Sequence, residues 1–174
     1  MDRRLVLKQL VFLTAGSFFL PAVFSKSSIK PLKDLNIDPE TQALLASVAD
    51  TIIPETDTPG AKELNIHLFV MKMIDDCYEK EVQERFVNGL VQLDKLNETR
   101  YGKSFESSSV SERLALLTDI QNKKVEDKDV LFFFPLMKKL TLDGYLNSEY
   151  VMINLIKYEL IPARYNGYFP VQTS

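Results

Sequence analysis

The sequence contains one cysteine and one histidine, and this scarcity excludes several common kinds of site. A single thiol, that of Cys77, forms neither an internal disulfide nor a thiolate cage for zinc. Because His67 is the only imidazole, a multi-histidine zinc site is excluded as well. The GxGxxG and GxxxxGK[ST] phosphate-binding loops and the CxxCH haem-attachment motif are also absent. The usual catalytic residues are therefore few, and no cofactor or metal is expected in this chain.

The two rare residues both fall in one predicted helix. His67 has apolar neighbours in the stretch NIHLFVM, which favours a boundary or core position over a catalytic one. Cys77 continues the apolar stripe of the same helix, so it is expected to be a small buried hydrophobe. Asp75, Asp76 and Glu79 are interpreted as a solvated face, because adjacent acids on a helix point about 100° apart.

Length and composition favour one soluble domain. The chain has 174 residues, 45% hydrophobic and 26% charged, which is ordinary for a globular protein with a proper core. Its formal charge is -3, and Arg3, Arg4 and Lys8 concentrate positive charge at the N-terminus, so the remainder is more acidic still. A mildly acidic body lacks the basic face that binding to phosphate backbones needs, and nucleic acid is not expected as a partner.

Residues 1–25 have the pattern of an export signal. Positive charge at residues 2–8 precedes an apolar stretch at 10–24, which is shorter than the roughly 20 residues of a membrane span. The paired Arg3 and Arg4 are typical of the twin-arginine route, which exports folded proteins. The alternative is an amphipathic or buried N-terminal helix, but the stretch has no polar face. We expect a periplasmic protein whose signal is either cleaved or retained as an anchor.

Apolar residues at helical spacing predict an all-α fold for residues 38–174, after a polar linker at 26–37. We expect a single compact helical domain of about five to six helices with long ordered loops, preceded by the signal or anchor helix. The predicted helices run from Asp38 to Pro54, from Asn65 to Tyr78, from Glu81 to Tyr101, from Ser109 past Ile120, over 130–146, and briefly after Ser148.

Several helix ends have recognisable signals. Asp38 followed by Pro39 predicts a helix start, since Asp can accept from exposed amides and Pro is already at a helical φ. Ser109 with Glu112 three residues later predicts a capping box, and Gly102 a helix stop. The helix after Ser109 is expected to direct three side chains inward: Leu114, Leu117 and Ile120.

The stretch VLFFFPLMKKLTLDGYL, residues 130–146, allows two interpretations. Its phenylalanine run suits a buried strand, but no partner strand is evident elsewhere. We therefore predict a nearly buried helix with Pro135 in its first turn or at a kink. The charged cluster at 123–129 is interpreted as a solvated turn.

The segment PETDTPGA, residues 54–61, predicts a fixed loop, because it combines two prolines, a glycine and two acids. Asp50, Glu55 and Asp57 cluster around it. They either bind a cation or cap backbone amides in the turns, and the second alternative is favoured. A rigid loop together with a tyrosine-rich tail is typical of a protein interface.

Three stretches resemble the gluconate 2-dehydrogenase subunit 3 family: ADTIIPETDTPGAKELNIHLFV at 49–70, LTLDGYLNSE at 140–149 and ARYNGY at 163–168. The resemblance implies a small, helical, non-catalytic subunit of a periplasmic or membrane-associated dehydrogenase. In that family the large partner is an FAD-containing flavoprotein of the glucose-methanol-choline type, which oxidises sugars, sugar acids or polyols. A cytochrome c subunit with haem c commonly takes the electrons. The small subunit often carries the twin-arginine signal for its partner, so the translocase is an expected partner too.

The resemblance also implies partner-binding positions, which are expected to hold the loops that meet the large subunit. These are Asp50, Pro54, Glu55, Asp57, Pro59 and Gly60 in the first block, Gly144, Tyr145 and Glu149 in the second, and Tyr165 and Gly167 in the third. A purely structural role is the alternative, and it is favoured for the glycines. Tyr168 stands where many relatives have a cysteine, so the resemblance does not extend to a disulfide with the partner.

Two other functions remain as alternatives. One is a metal-assisted enzyme that uses the acids of the PETDTPGA loop. The other is a free-standing periplasmic binding module, whose sign would be a deep pocket lined by Tyr145, Tyr165 and Tyr168. An exposed apolar patch would instead favour the subunit hypothesis.

Overall fold

Five α-helices and one short π-helical turn form the part of the chain that the computed structural model describes, residues 32, 35, 37–159, 161 and 168. The elements are α1 Pro39–Ile52, α2 Ile66–Cys77, α3 Lys80–Tyr101, α4 Val110–Gln121, α5 Lys128–Leu146 and the π turn Val151–Leu155. These residues contain no β-strand, so the predicted all-α fold is confirmed. The predicted signal or anchor helix lies outside them. Among the described helices, none combines the length and the apolar character needed to cross a membrane.

Helices α3 and α5 pack closely at the centre of the fold, because Gly89 on α3 has no side chain at the point where the two helices meet. A Cβ on Gly89 would touch the Cβ of Phe133 and would lie 2.5 Å from the carbonyl oxygen of Asp129. Next to this contact the rings of Phe86 and Phe133 pack with their centroids 4.8 Å apart. Each helix contributes buried side chains to the same core, among them Leu45, Val48, Val70, Ile74, Leu90, Leu93, Leu116, Ile120, Met137 and Leu140.

The phenylalanine run lies in α5, so the helical interpretation of residues 130–146 is confirmed. The helix begins earlier than predicted, because the Asp127 carboxylate accepts from the amides of Asp129 at 2.9 Å and Val130 at 3.0 Å. The last residues of the 123–129 cluster therefore cap and start a helix, and the prediction of a solvated turn is wrong there. Pro135 lies inside α5 with its ring exposed, and it removes one backbone donor from the helix.

The predicted signals at both ends of the α3–α4 connection are confirmed. Gly102 ends α3 with φ +72°, a conformation that favours glycine. At the start of α4, the Ser109 hydroxyl accepts from the Glu112 amide at 3.4 Å, and the Glu112 carboxylate accepts from the Ser109 amide at 2.8 Å. Hydrogen bonds from Ser109 and Lys103 lower the pKa of Glu112 to about 2.

Two side chains that were predicted to be buried are exposed. Leu114 is 54% exposed, because Leu117 and Ile120 already fill the side of α4 that faces the core. Cys77, the last residue of α2, is exposed. The prediction of a buried Cys77 is therefore wrong.

Two polar residues also differ from their predictions. Asp75 is buried instead of solvated, since its carboxylate accepts from the backbone amide of Leu35 at 2.9 Å. Asp38 precedes α1 as predicted, but its side chain makes no capping hydrogen bond, and its backbone carbonyl accepts from Gln42 at 3.0 Å instead. Pro39 occupies the first turn as expected.

Ser148 lies where a last short helix was predicted to begin. Its hydroxyl donates to the Tyr145 carbonyl at 2.7 Å and accepts from the Val151 amide at 3.4 Å. The element that follows is the π-helical turn Val151–Leu155, so the short last helix predicted after Ser148 is present in the described chain as one π turn.

Candidate functional site

The PETDTPGA loop begins at the end of α1, and its last residue, Ala61, lies beside that helix end again. The amide of Ala61 donates to the carbonyl of Ile53 at 2.9 Å, which closes the loop at its base. Within it, the amide of Thr56 donates to the carbonyl of Thr58 at 3.1 Å. Gly60 is required by close approach, because a Cβ there would lie 2.6 Å from the amide nitrogen of Glu55. The loop is fixed by its backbone, as its composition predicted.

Tyr145 joins the end of α5 to the loop through a hydrogen bond with Pro59, which lies 86 positions earlier in the sequence. Its hydroxyl donates to the carbonyl of Pro59 at 3.1 Å and lies 3.4 Å from the hydroxyl of Thr58. The first and second sequence motifs therefore meet in space. Tyr145 is partly buried, so this contact lies at the surface of the core.

Gly144, one residue before Tyr145 on α5, allows the close packing that this junction needs. A Cβ at this position would lie 2.5 Å from Cδ1 of Phe69 and 3.0 Å from Cγ2 of Ile66, both on α2. The missing side chain lets α2 and α5 approach, which carries Tyr145 to the loop. The structural role that was favoured for the glycines is supported at Gly60 and at Gly144.

The acids around the loop do not converge. Asp50 faces α4, where its carboxylate lies 3.8 Å from the guanidinium of Arg113. Glu55 and Asp57 are exposed at the loop surface, and neither accepts a hydrogen bond from a described backbone amide. Among the residues whose positions are described, no three His, Cys, Asp or Glu side chains are arranged to hold a metal ion. The described contacts show no amide capping by these carboxylates, and backbone hydrogen bonds close the loop instead.

The predicted partner-binding residues divide into a supporting set and an exposed set. Gly60, Gly144 and Tyr145 support the loop from within the domain, whereas Asp50 faces Arg113 on α4. Pro54, Glu55, Asp57 and Glu149 are exposed, and Pro59 is partly buried. Tyr165 and Gly167 lie outside the described residues, so the third motif is not placed.

Two side chains, those of Arg113 and His67, have a buried nitrogen without a hydrogen-bond partner. The Nε of Arg113 makes no hydrogen bond, and its nearest carboxylate is that of Asp50. His67 is 7% exposed, as its apolar neighbours predicted, and its Nδ1 has no hydrogen-bond partner. Burial, and secondarily the positive charge of Lys62, lowers the pKa of His67. The imidazole is thus held neutral near pH 7.

Sequence reasoning missed an apolar surface beyond the second motif. Five large apolar or aromatic side chains between the end of α5 and residue 161 are exposed: Ile153, Leu155, Ile156, Tyr158 and Ile161. We call this set the C-terminal apolar segment. The available signal was the stretch VMINLIKYELI, which is rich in apolar residues although the domain core is already complete without it.

A deep pocket lined by tyrosines would indicate a binding module. The Tyr145 hydroxyl does not line such a pocket, because it is hydrogen-bonded to the loop. Tyr168 is almost fully exposed, at 97%. The described cavities lie elsewhere, on the surfaces of α3 and of the α4–α5 pair.

Fold and site together define a small all-α domain in which two sequence motifs hold one ordered loop at the surface. Residues 39–163 match the family described as gluconate 2-dehydrogenase subunit 3, and the chain belongs to that family of accessory subunits. No curated protein matches the chain significantly. No solved structure matches it significantly either. The match covers the first two motifs, and it confirms the resemblance at the level of the family, whereas the third motif at 163–168 lies almost wholly beyond it.

Proposed function

We propose that this chain is a non-catalytic small subunit that binds, stabilises and helps to export a glucose-methanol-choline-type FAD dehydrogenase acting on sugars, sugar acids or polyols. Membership in the gluconate 2-dehydrogenase subunit 3 family supports a place in a multi-subunit dehydrogenase complex. The partner supplies FAD, and a third subunit with haem c takes the electrons.

The observation that carries the proposal is the C-terminal apolar segment. Single exposed apolar residues are common on soluble proteins, but here five of nine consecutive positions carry a large exposed apolar or aromatic side chain. Such surfaces mark contacts with another protein or a membrane. In a subunit, burial against a partner removes this area from water at about 25 cal/mol per Å² of apolar surface.

The ordered loop supplies a second part of the contact surface. Its exposed side chains, Pro54, Glu55 and Asp57, are carried by a backbone that is already fixed. A preformed loop loses little conformational entropy on binding, which favours affinity. We infer that Tyr145 and Gly144 act indirectly, because they position the loop from behind.

Export is the second part of the proposed role. Arg3 and Arg4 mark a twin-arginine signal, and this route carries proteins that are already folded. A flavin must be inserted before a protein leaves the cytoplasm, so one signal on the small subunit serves both chains. The proposed location of the complex is the periplasm, with or without an anchor at residues 1–25.

Co-expression tests the proposal. The flavoprotein encoded next to this chain is produced with the intact chain, without it, and with an Arg3→Lys/Arg4→Lys variant. We expect soluble, FAD-loaded, exported dehydrogenase with the intact chain, insoluble or inactive protein without it, and soluble but cytoplasmic protein with the variant. A flavoprotein that is soluble, active and exported without this chain would overturn the proposal.

A further inference from the structure

One face of α5 is largely apolar, and from Pro135 onwards the described chain leaves it partly or largely exposed. Leu131, Pro135, Lys138, Leu142 and Leu146 recur at spacings of three and four residues, so they lie on one face of the helix. Leu142 and Leu146 are exposed, at 40% and 53%. A helix of 19 residues spans about 28 Å, so this face is longer than one small ligand requires.

Helix α4 contributes a parallel stripe. Val110, Leu114, Leu117 and Gln121 share one face by the same spacing, and the first two are more than half exposed. Leu114 was expected in the core, but it is exposed. Exposed apolar side chains on a helix are typical of a surface that contacts another molecule. Both helices of the α4–α5 pair therefore present apolar side chains outward.

A groove runs between the two stripes. One cavity of about 440 Å³ is lined by Ile120, Gln121, Lys123, Leu131, Phe134, Pro135 and Lys138. A second, of about 130 Å³, shares Gln121, Phe134 and Lys138 with the first and extends to Leu114 and to the end of α1 at Ile52. The shared residues show that the two cavities adjoin, and we call them together the α4–α5 groove.

The rim of this groove is positively charged without compensation from the described residues. Lys138 donates a hydrogen bond to the neutral Gln121 side chain at 2.9 Å, and no described acid forms an ion pair with Lys138 or Lys123. The neighbouring Lys124 differs, because its ammonium lies 3.2 Å from Asp119. In a protein of net charge -3, two uncompensated lysines beside an apolar groove are an unusual local arrangement.

We propose that the α4–α5 groove binds an amphipathic helix of a partner protein whose apolar stripe is flanked by carboxylates. Helix-in-groove recognition uses apolar anchors three and four residues apart, and two adjoining cavities accept such consecutive anchors. Lys123 and Lys138 pair with the flanking carboxylates and fix the direction of the bound helix. The chain's own N-terminus is a poorer occupant, because Arg3, Arg4 and Lys8 outweigh Asp2 and give it a net charge of the same sign as the rim.

Two fluorescein-labelled synthetic peptides test this proposal on the full-length chain. Both are amphipathic helices with the same leucine stripe, and the flanking positions are glutamate in one and lysine in the other. Fluorescence anisotropy is expected to show roughly tenfold tighter binding of the glutamate peptide, with a difference that shrinks as salt is added. A Lys123→Glu/Lys138→Glu variant is expected to reverse the preference.

A pair of matched variants separates the groove from general apolar stickiness. Leu114→Asn is expected to weaken binding of the glutamate peptide at least fivefold, whereas Val91→Asn, an exposed apolar side chain on α3 outside the groove, leaves it unchanged. Thermal unfolding confirms beforehand that each variant is folded. Both substitutions are at exposed positions, where stability changes little.

Several results would overturn the proposal. Equal affinity for both peptides, or no binding of either, contradicts charge-selective recognition of a helix. Sedimentation that shows a dimer abolished by Leu114→Asn assigns the groove to a second copy of the chain instead. Saturable binding of laurate without peptide binding assigns it to a small anionic amphiphile. These readouts need no dehydrogenase subunit, so they are independent of the co-expression result.

Discussion

At the scale of single residues, the Tyr145 hydroxyl is the atom that ties two distant motifs together. Replacing it in Tyr145→Phe removes the hydrogen bond to Pro59 and the contact with Thr58 and leaves the ring in place. We expect the free energy of unfolding to fall by about 1 kcal/mol, the usual net value of one hydrogen bond. Urea denaturation measures the change, and hydrogen exchange at the Ala61 amide is expected to accelerate because the loop opens more readily.

A matched control is Tyr78→Phe, since Tyr78 also packs against the core but its hydroxyl has no hydrogen bond within the described structure. This variant is expected to change stability by less than about 0.5 kcal/mol. Equal losses in the two variants would mean that the Tyr145 contact does not hold the loop.

His67, the single histidine of the sequence, gives the chain a pH-dependent stability at and below about pH 6.5. Its pKa in the folded protein is below the ordinary value of 6.5, because burial and the nearby charge of Lys62 disfavour the imidazolium. Above pH 6.5 the residue is neutral in both states and its full contribution to stability is present. As the pH falls below 6.5 the unfolded chain takes up the proton first, so stability declines until the pH lies below the folded pKa.

We therefore expect the free energy of unfolding to decrease between pH 7 and pH 5, and a His67→Gln variant to be flatter over that range. Because the chain has one histidine, its imidazole NMR signals report the pKa directly. Lys62→Gln is expected to raise that pKa slightly, since it removes the secondary cause. A His67 pKa at or above 6.5 in the folded protein would contradict the buried, neutral assignment.

At the scale of elements, the close packing of α3 against α5 depends on Gly89. In Gly89→Ala the new methyl group would meet Phe133 and the Asp129 carbonyl, and a backbone atom cannot rotate away. Alanine has the better helix propensity, by about 1 kcal/mol, but overpacking costs about 1–3 kcal/mol and forces α3 and α5 apart. We expect a net destabilisation, measured as a melting temperature lowered by several degrees.

The control for this change is Asn88→Ala, one residue earlier on the exposed face of α3. It provides the gain in helix propensity without a clash, so the melting temperature should stay the same or rise slightly. If Gly89→Ala were as stable as Asn88→Ala, the close approach of α3 and α5 would not be rigid.

The sequence correctly predicted the helix ends that are set by neighbouring residues in the chain. The capping box at Ser109 and the left-handed Gly102 are short-range features, and both occur as expected. Burial was predicted less well, since it depends on what other elements cover. Periodicity places Leu114 on an apolar stripe, but it does not tell whether that stripe faces the core or solvent.

The site shows the same division between local and long-range information. The glycine and proline content of the PETDTPGA loop was enough to predict its rigidity. The bond from Tyr145 to Pro59 links residues far apart in sequence, and no local pattern predicts such a contact. The exposed C-terminal apolar segment was missed because apolar composition alone suggests a core and not an interface.

At the scale of the whole molecule, the domain is complete around α3 and α5 and yet leaves the C-terminal apolar segment uncovered in the described chain. If this segment is a subunit contact, an Ile153→Asn/Ile156→Asn variant should fold normally, because exposed side chains contribute little to stability. Its complex with the flavoprotein should weaken at least tenfold, because apolar contact area is lost and polar amides are placed in the interface. Affinity co-purification and a titration of the purified subunits measure the loss. Val91→Asn, an exposed apolar change elsewhere, should leave the complex intact. An unchanged complex in the double variant would exclude the segment from the interface and leave the ordered loop as the remaining candidate contact.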